Sequence, residues 1–272
     1  MPSDDFKNIP SNVLEPREIS LIFLATLTLF LFFIFFGSFL HDTLLLAVGE
    51  TIMILPALVY VLYRRLPLLK TFRLQRTSLS QIMATALLFI PVFILADELD
   101  RVIQQFFPMP AEWSDSMIEL LQFKTVPEAA MILFAGVLCA ALFEEMLFRG
   151  LLQHTLEYYR EPAIAIVLTS VLFALVHFNP WTAIQVTSLG LVLGFVAWKS
   201  GSILPSIVLH ALNNLASLIL MNSQEGFLNL YTTSHHVKFI WIVAAIVFVI
   251  PAARLFSNTY WRRYDHGACS YI

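Results

Sequence analysis

The feature that most constrains this chain is a recurrence of apolar runs about 20 residues long, each able to cross roughly 30 Å of hydrocarbon as a helix. Of its 272 residues, 58% are hydrophobic and 13% charged, too little charge to cover a soluble domain of that length. The expected fold class is therefore all-α: a polytopic transmembrane helical bundle of about eight spans. The runs are Ile19–Leu40, Leu44–Tyr63, Gln81–Ala96, Ala129–Leu147, Ala163–His177, Ala183–Trp198, Leu204–Met221 and Val237–Phe256. Turn chemistry separates them at Asn179-Pro180, at Gly201-Ser202 and across the polar stretch from Asn222 to His236.

Three regions follow. Residues 1–128 hold three spans, a basic loop and an acidic outer loop; 129–222 hold four spans; 223–272 hold the last span and a tail. In the outer loop, Ser116-x-x-Glu119 has the form of a capping box for a short surface helix. With the N-terminus inside, the inner segments carry 13 of the 16 Lys and Arg residues and the outer segments only Arg101, Lys124 and Lys238. That asymmetry predicts both termini in the cytoplasm. The first residues mix Asp4, Asp5, Glu15 and Glu18 with Lys7 and Arg17, a poor signal-peptide start, so the first run is expected to be retained. Cys139 and Cys269 stand far apart and suggest neither a disulfide framework nor a thiolate metal site. No basic stripe points to nucleic acid; the net charge is only −3.

Ionisable side chains inside spans are expensive, so each is a functional hypothesis. Here they are Glu50, Glu144, Glu145, Arg149, His177 and His210. On a helix, residues four apart share a face and adjacent ones do not. Glu145 and Arg149 are thus placed to pair, which leaves Glu144 a quarter-turn away facing a different direction. His210 shares a face with Asn214, and Phe173 with His177. If the fourth helix runs on to about Tyr158, Glu144 and His177 both lie about 21 Å from the turn that follows. His210 lies only about 13 Å above the turn near Gly201; an earlier hairpin that protrudes farther into the cytoplasm would reconcile the two figures.

Such a set suits water activation. A glutamate in a low-dielectric site becomes a better base near neutral pH, and a neighbouring histidine can help deprotonate the same water. The His210/Asn214 pair offers N–H donors for the oxyanion of a tetrahedral intermediate. Amide hydrolysis uses all three parts.

At these residues the sequence resembles the CPBP family of intramembrane proteases, which includes type II CAAX prenyl endopeptidases and bacteriocin-processing relatives. Three motifs stand in order: EExxxR at Glu144 to Arg149, FxxxH at Phe173 to His177, and HxxxN at His210 to Asn214. The resemblance covers about residues 128–222. It implies that Glu144 and His177 activate the water, that His210 and Asn214 form the oxyanion site, and that Glu145 with Arg149 supports the helix. It implies a glutamate-type mechanism, and the absence of HExxH agrees; no cofactor is expected, with a divalent metal such as zinc left open. The substrate would be a membrane-associated peptide or protein, lipidated or ending in a CaaX-type sequence. The protein would sit in a cell (inner) membrane with its site toward the cytoplasm.

Plainer readings stand beside these. The two glutamates can be an ion pair plus a solvated carboxylate, His177 a helix-end residue bonding freed carbonyls, and Asn214 interhelical glue, with Asn213 an alternative for its role. Glu50 has no partner visible in sequence: it is either buried and protonated or lines a watery cavity. Gly190 and Gly194 form a GxxxG that most simply marks a close helix contact. The terminal Cys269-Ser270-Tyr271-Ile272 has a CaaX outline that is expected to be coincidence. Two other functions compete: a non-catalytic immunity or scaffold protein, and a proton-coupled transporter.

Overall fold

The computed structural model describes Pro10, residues 13–37 and residues 42–264. The end of the first expected span at Leu40, Lys7, Cys269 and the terminal CaaX outline lie outside them. Eleven helices follow in order: α1 (Pro16–Phe36), α2 (Asp42–Tyr63), the short α3 (Leu68–Thr71), α4 (Leu79–Phe106), α5 (Ala111–Leu121), α6 (Val126–Tyr159), α7 (Pro162–Leu175), α8 (Ala183–Ser200), α9 (Leu204–Met221), α10 (Glu225–Tyr231) and α11 (Phe239–Tyr264). The one β feature among the described residues is an isolated bridge between Thr232 and Val237. The protein is an all-α, polytopic membrane bundle.

Among the described residues seven helices are long and apolar enough to cross a bilayer, and α7 is shorter, with 14 residues. At 1.5 Å per residue α7 reaches about 21 Å, short of the hydrocarbon thickness. It unwinds before Asn179, whose side-chain oxygen accepts from the Trp181 and Thr182 backbone in the turn that leads to α8. The lipid-facing surface is what such a bundle needs: Leu24, Phe32 and Phe35 on α1 and Phe239, Val247 and Phe248 on α11 are exposed.

Two expectations need correction. Ser116 is not a helix cap. It lies in the middle of α5, where its hydroxyl donates to the Glu112 carbonyl at 2.7 Å, the back-bonding a mid-helix serine adopts when its backbone N–H is already used. Reciprocal capping occurs instead at α4, where the Ser78 hydroxyl accepts from the Gln81 N–H and the Gln81 side chain accepts from the Ser78 N–H. The acidic stretch after Ala96 is also not loop at its start: α4 continues to Phe106, held by an Asp97–Arg101 pair at 3.1 Å.

Contacts at the helix ends sort the bundle into two poles. Glu18, at the start of α1, binds Tyr60 and Arg64 at the end of α2. Gln81 at the start of α4 reaches the Thr259 carbonyl near the end of α11. Arg73, in the loop after α3, pairs with Glu157 near the end of α6 at 3.0 Å, and its carbonyl accepts from Ile203 just before α9. The start of α1 and the end of α11 therefore lie at one pole, together with Arg64, Arg73 and the α8–α9 turn, where Gly201 ends α8 in the left-handed conformation at φ 67°. The opposite pole holds Glu98, which meets the His236 ring at 2.7 Å.

The loop between α2 and α4 is pressed against α6 at Gly150. A Cβ built there would lie 2.6 Å from the Phe72 carbonyl oxygen and 3.1 Å from two more Phe72 backbone atoms. Phe72 is itself fully buried, so the loop has nowhere to retreat. Gly150→Ala is therefore expected to cost about 1–3 kcal/mol through overpacking. Thermal unfolding in detergent checks this, with Gly226→Ala as the control, because a Cβ there meets nothing within 4 Å.

Candidate active site

The centre of the site is a two-turn segment of α6 bracketed by wider turns. Phe134–Cys139 and Met146–Gln153 are π-helical, and Ala140–Glu145 between them is α-helical. The i→i+5 register adds close to one residue to each turn, so side chains four apart stack more nearly above one another. Along this face stand Glu145, Arg149, Gln153 and Glu157, the first three fully buried. Arg149 Nη1 donates to Glu145 Oε1 at 2.7 Å and Nη2 to the Gly190 carbonyl at 3.2 Å. One step along, Gln153 Nε2 donates to the Gly194 carbonyl at 2.9 Å and to Glu157 Oε1 at 2.8 Å. Glu157 is then held by Arg73. The expected Glu145–Arg149 pair is thus the upper half of a polar ladder that ends in the loop of Arg73.

The GxxxG of α8 serves that ladder. A Cβ at Gly190 would sit 2.9 Å from the Ser170 Cβ, and one at Gly194 2.8 Å from Gln153 Oε1. The two glycines let α7 and α6 approach closely enough for side chains of α6 to reach carbonyls of α8. The spacing had suggested only a helix contact; the carbonyl acceptors give it a second use.

His210 of α9 closes the site from the other side. Its Nδ1 lies 3.1 Å from Glu145 Oε1 and its Nε2 3.7 Å from Glu144 Oε2. The ring therefore lies between the two adjacent glutamates, so the two motifs do meet at one depth. The Glu145 carboxylate, already committed to Arg149, is an acceptor, so Nδ1 carries a proton and Nε2 is the nitrogen left to face Glu144. Glu144 Oε2 is buried without a hydrogen-bond partner. Asn214, one turn beyond His210, donates to the Gly136 carbonyl at 2.9 Å, in the first widened turn of α6; Asn213 Nδ2 reaches Asn214 Oδ1 at 3.4 Å.

His177 is placed differently. It lies in the turn after α7 and is exposed, with Nδ1 at 2.7 Å from the Phe173 carbonyl. That carbonyl fixes the proton on Nδ1 and leaves Nε2 as its free nitrogen. The link to the rest of the site is Phe173, whose buried ring has the Arg149 guanidinium 4.3 Å from its centroid and meets His177 at 4.9 Å and His210 at 5.8 Å, both edge-on. The first residue of FxxxH is thus a shared wall between both histidines and the arginine. Gln153, Glu157 and Arg73 escaped notice in the sequence; for the first two the signal was a polar residue at every fourth position after Glu145.

Residues 126–216 match the family model described as type II CAAX prenyl endopeptidase Rce1-like. Over this stretch the chain is similar to the Rce1-like CAAX proteases. The Rce1-like segment begins with the first residue of α6, ends two residues past Asn214, and contains all three motifs; it is about a third of the chain. No curated protein and no solved structure matches the chain. Among the described residues no three His, Cys, Asp or Glu side chains are grouped so as to hold a metal ion.

Proposed function

We propose that the chain is an intramembrane endopeptidase that hydrolyses a peptide bond of a membrane-associated substrate, lipidated or ending in a CaaX-type sequence. The family is one of endopeptidases; the observation that carries the reading to these residues is the contrast between the two glutamates. Glu145 binds Arg149 at 2.7 Å and lies 3.1 Å from His210 Nδ1, both through Oε1, whereas Glu144 is paired with no arginine and lies 3.7 Å from His210 Nε2; Oε2 of each is buried without a hydrogen bond. In this reading Glu144 takes a proton from the attacking water, with His177 Nε2 as its second acceptor. The proton on Glu144 lies within a short transfer of His210 Nε2. Once doubly protonated, His210 donates from Nε2 to the oxyanion and, as the C–N bond breaks, the proton goes to the leaving amine. Asn214 has one N–H on Gly136; its other N–H serves the oxyanion.

The pole that holds Arg64, Arg73 and the α8–α9 turn also carries most basic residues of the loops, which supports its placement in the cytoplasm of a cell membrane, with the site opening that way. The test is cleavage of fluorogenic peptides by detergent-purified protein, one set prenylated at a CaaX cysteine and one unmodified, each with and without a chelator. Cleavage of the prenylated set that survives chelation is expected. Activity abolished by chelation and restored by zinc would overturn the metal-free step.

A further inference from the structure

One carboxylate of the bundle interior has no place in the chemistry above. Glu50 lies on α2, outside the Rce1-like segment, and its Oε2 is buried without a hydrogen-bond partner, as is Oε2 of Glu144. The two helices run side by side in the same direction. Leu46, one turn before Glu50, packs on the bare backbone of Gly136, while Met53, Ile54 and Ala57, just after it, join a buried cluster with Met146 and Leu147. Glu50 is bracketed by contacts that fall on either side of Glu144, and the two carboxylates are close enough to interact electrostatically.

Two carboxylates that face each other in a site of low dielectric do not both ionise. The other ionisable groups around them do not relieve the conflict at Glu50. Arg149 is taken by Glu145 and the Gly190 carbonyl, His210 stands between Glu144 and Glu145, and Cys139, the remaining neighbour of Glu50 on α6, adds no positive charge. One proton must stay on the pair, and Glu50 is the member that pairs with neither Arg149 nor His210.

We propose that Glu50 is a positioning residue for the reaction read above: it holds a proton at neutral pH, shares it with Glu144, and so keeps Glu144 as the single charged base with its lone pair turned to the water. The proposal rests on that protease reading, but one of its tests does not. The intact protein in detergent is compared by infrared spectroscopy with Glu50→Gln, Glu50→Asp and Glu145→Gln, following the stretch of a protonated carboxyl between neutral and alkaline pH. A band present at pH 7 in the wild type, lost in Glu50→Gln and kept in Glu50→Asp and Glu145→Gln, is expected. A band unchanged in Glu50→Gln overturns the proposal whether or not any peptide is cleaved. In the cleavage assay, the wild type should lose kcat/KM on an alkaline limb as the pair gives up its last proton. Glu50→Gln, which is neutral and nearly isosteric, should lack that limb, and Glu50→Asp should regain it. A merely structural Glu50 would lower activity or stability with the pH profile unmoved, and that result also overturns the proposal.

Discussion

Glu144→Gln is expected to lower kcat by about 10²–10⁴-fold, the range that a positioned general base contributes. It should do so without loss of fold. Oε2 of Glu144 has no hydrogen-bond partner to lose, and the amide is nearly the same size. Removing the charge of Glu144 relieves its repulsion with the adjacent Glu145, so thermal unfolding should be unchanged or slightly later. The measurement is steady-state cleavage of the best peptide together with melting of the same preparation. Equal activity in mutant and wild type would remove Glu144 from the mechanism.

Arg149→Met is the counterpart, a large effect on the fold. The guanidinium is wholly buried, paired to Glu145, bonded to the Gly190 carbonyl and stacked on Phe173. Removing it leaves Glu145 buried beside Glu144 with no cation but a protonated His210, a loss of about 3–5 kcal/mol for a broken buried pair. Lysine should not restore it, because an ammonium cannot serve the carboxylate and carbonyl with one planar fork while lying on a ring. The double change Glu145→Gln with Arg149→Met should recover part of the stability, since the uncompensated charge is gone. It should not recover activity, because His210 then lacks the carboxylate that fixes its proton on Nδ1. Unfolding and cleavage of Glu145→Gln, Arg149→Met and the double variant give the cycle.

Which parts of this arrangement the sequence could announce follows from the range of the interactions involved. Spans announce themselves through length and apolarity, and the Glu145–Arg149 pair through a four-residue spacing that π-helical turns only sharpen. The extension of α4 past Ala96 was hidden because Asp97, Glu98 and Asp100 read as loop, whereas the helix end is outside the apolar layer and tolerates them. Ser116 misled because a cap and a mid-helix serine look alike until the preceding backbone is known. Interactions across the chain left no local mark: Glu50 near Glu144, Gln153 on the Gly194 carbonyl, Arg73 on Glu157. His177 shows the reverse, a motif residue legible at once whose place at an exposed helix end ties it to the cluster through the Phe173 ring.

In the protease reading, the length of α6 sets a reach requirement for anything that is to be cut. Its 34 residues exceed the thickness of a bilayer, and Glu144 stands 15 residues before Tyr159. Measured along the helix that is about 22 Å, which an extended peptide covers in six or seven residues at about 3.4 Å each. A chain entering from the Tyr159 pole must therefore thread at least that many residues inward before its bond meets the carboxylate. A tetrapeptide held at the surface by a charged group falls short, and a lipid that draws the chain down into the apolar layer removes the deficit.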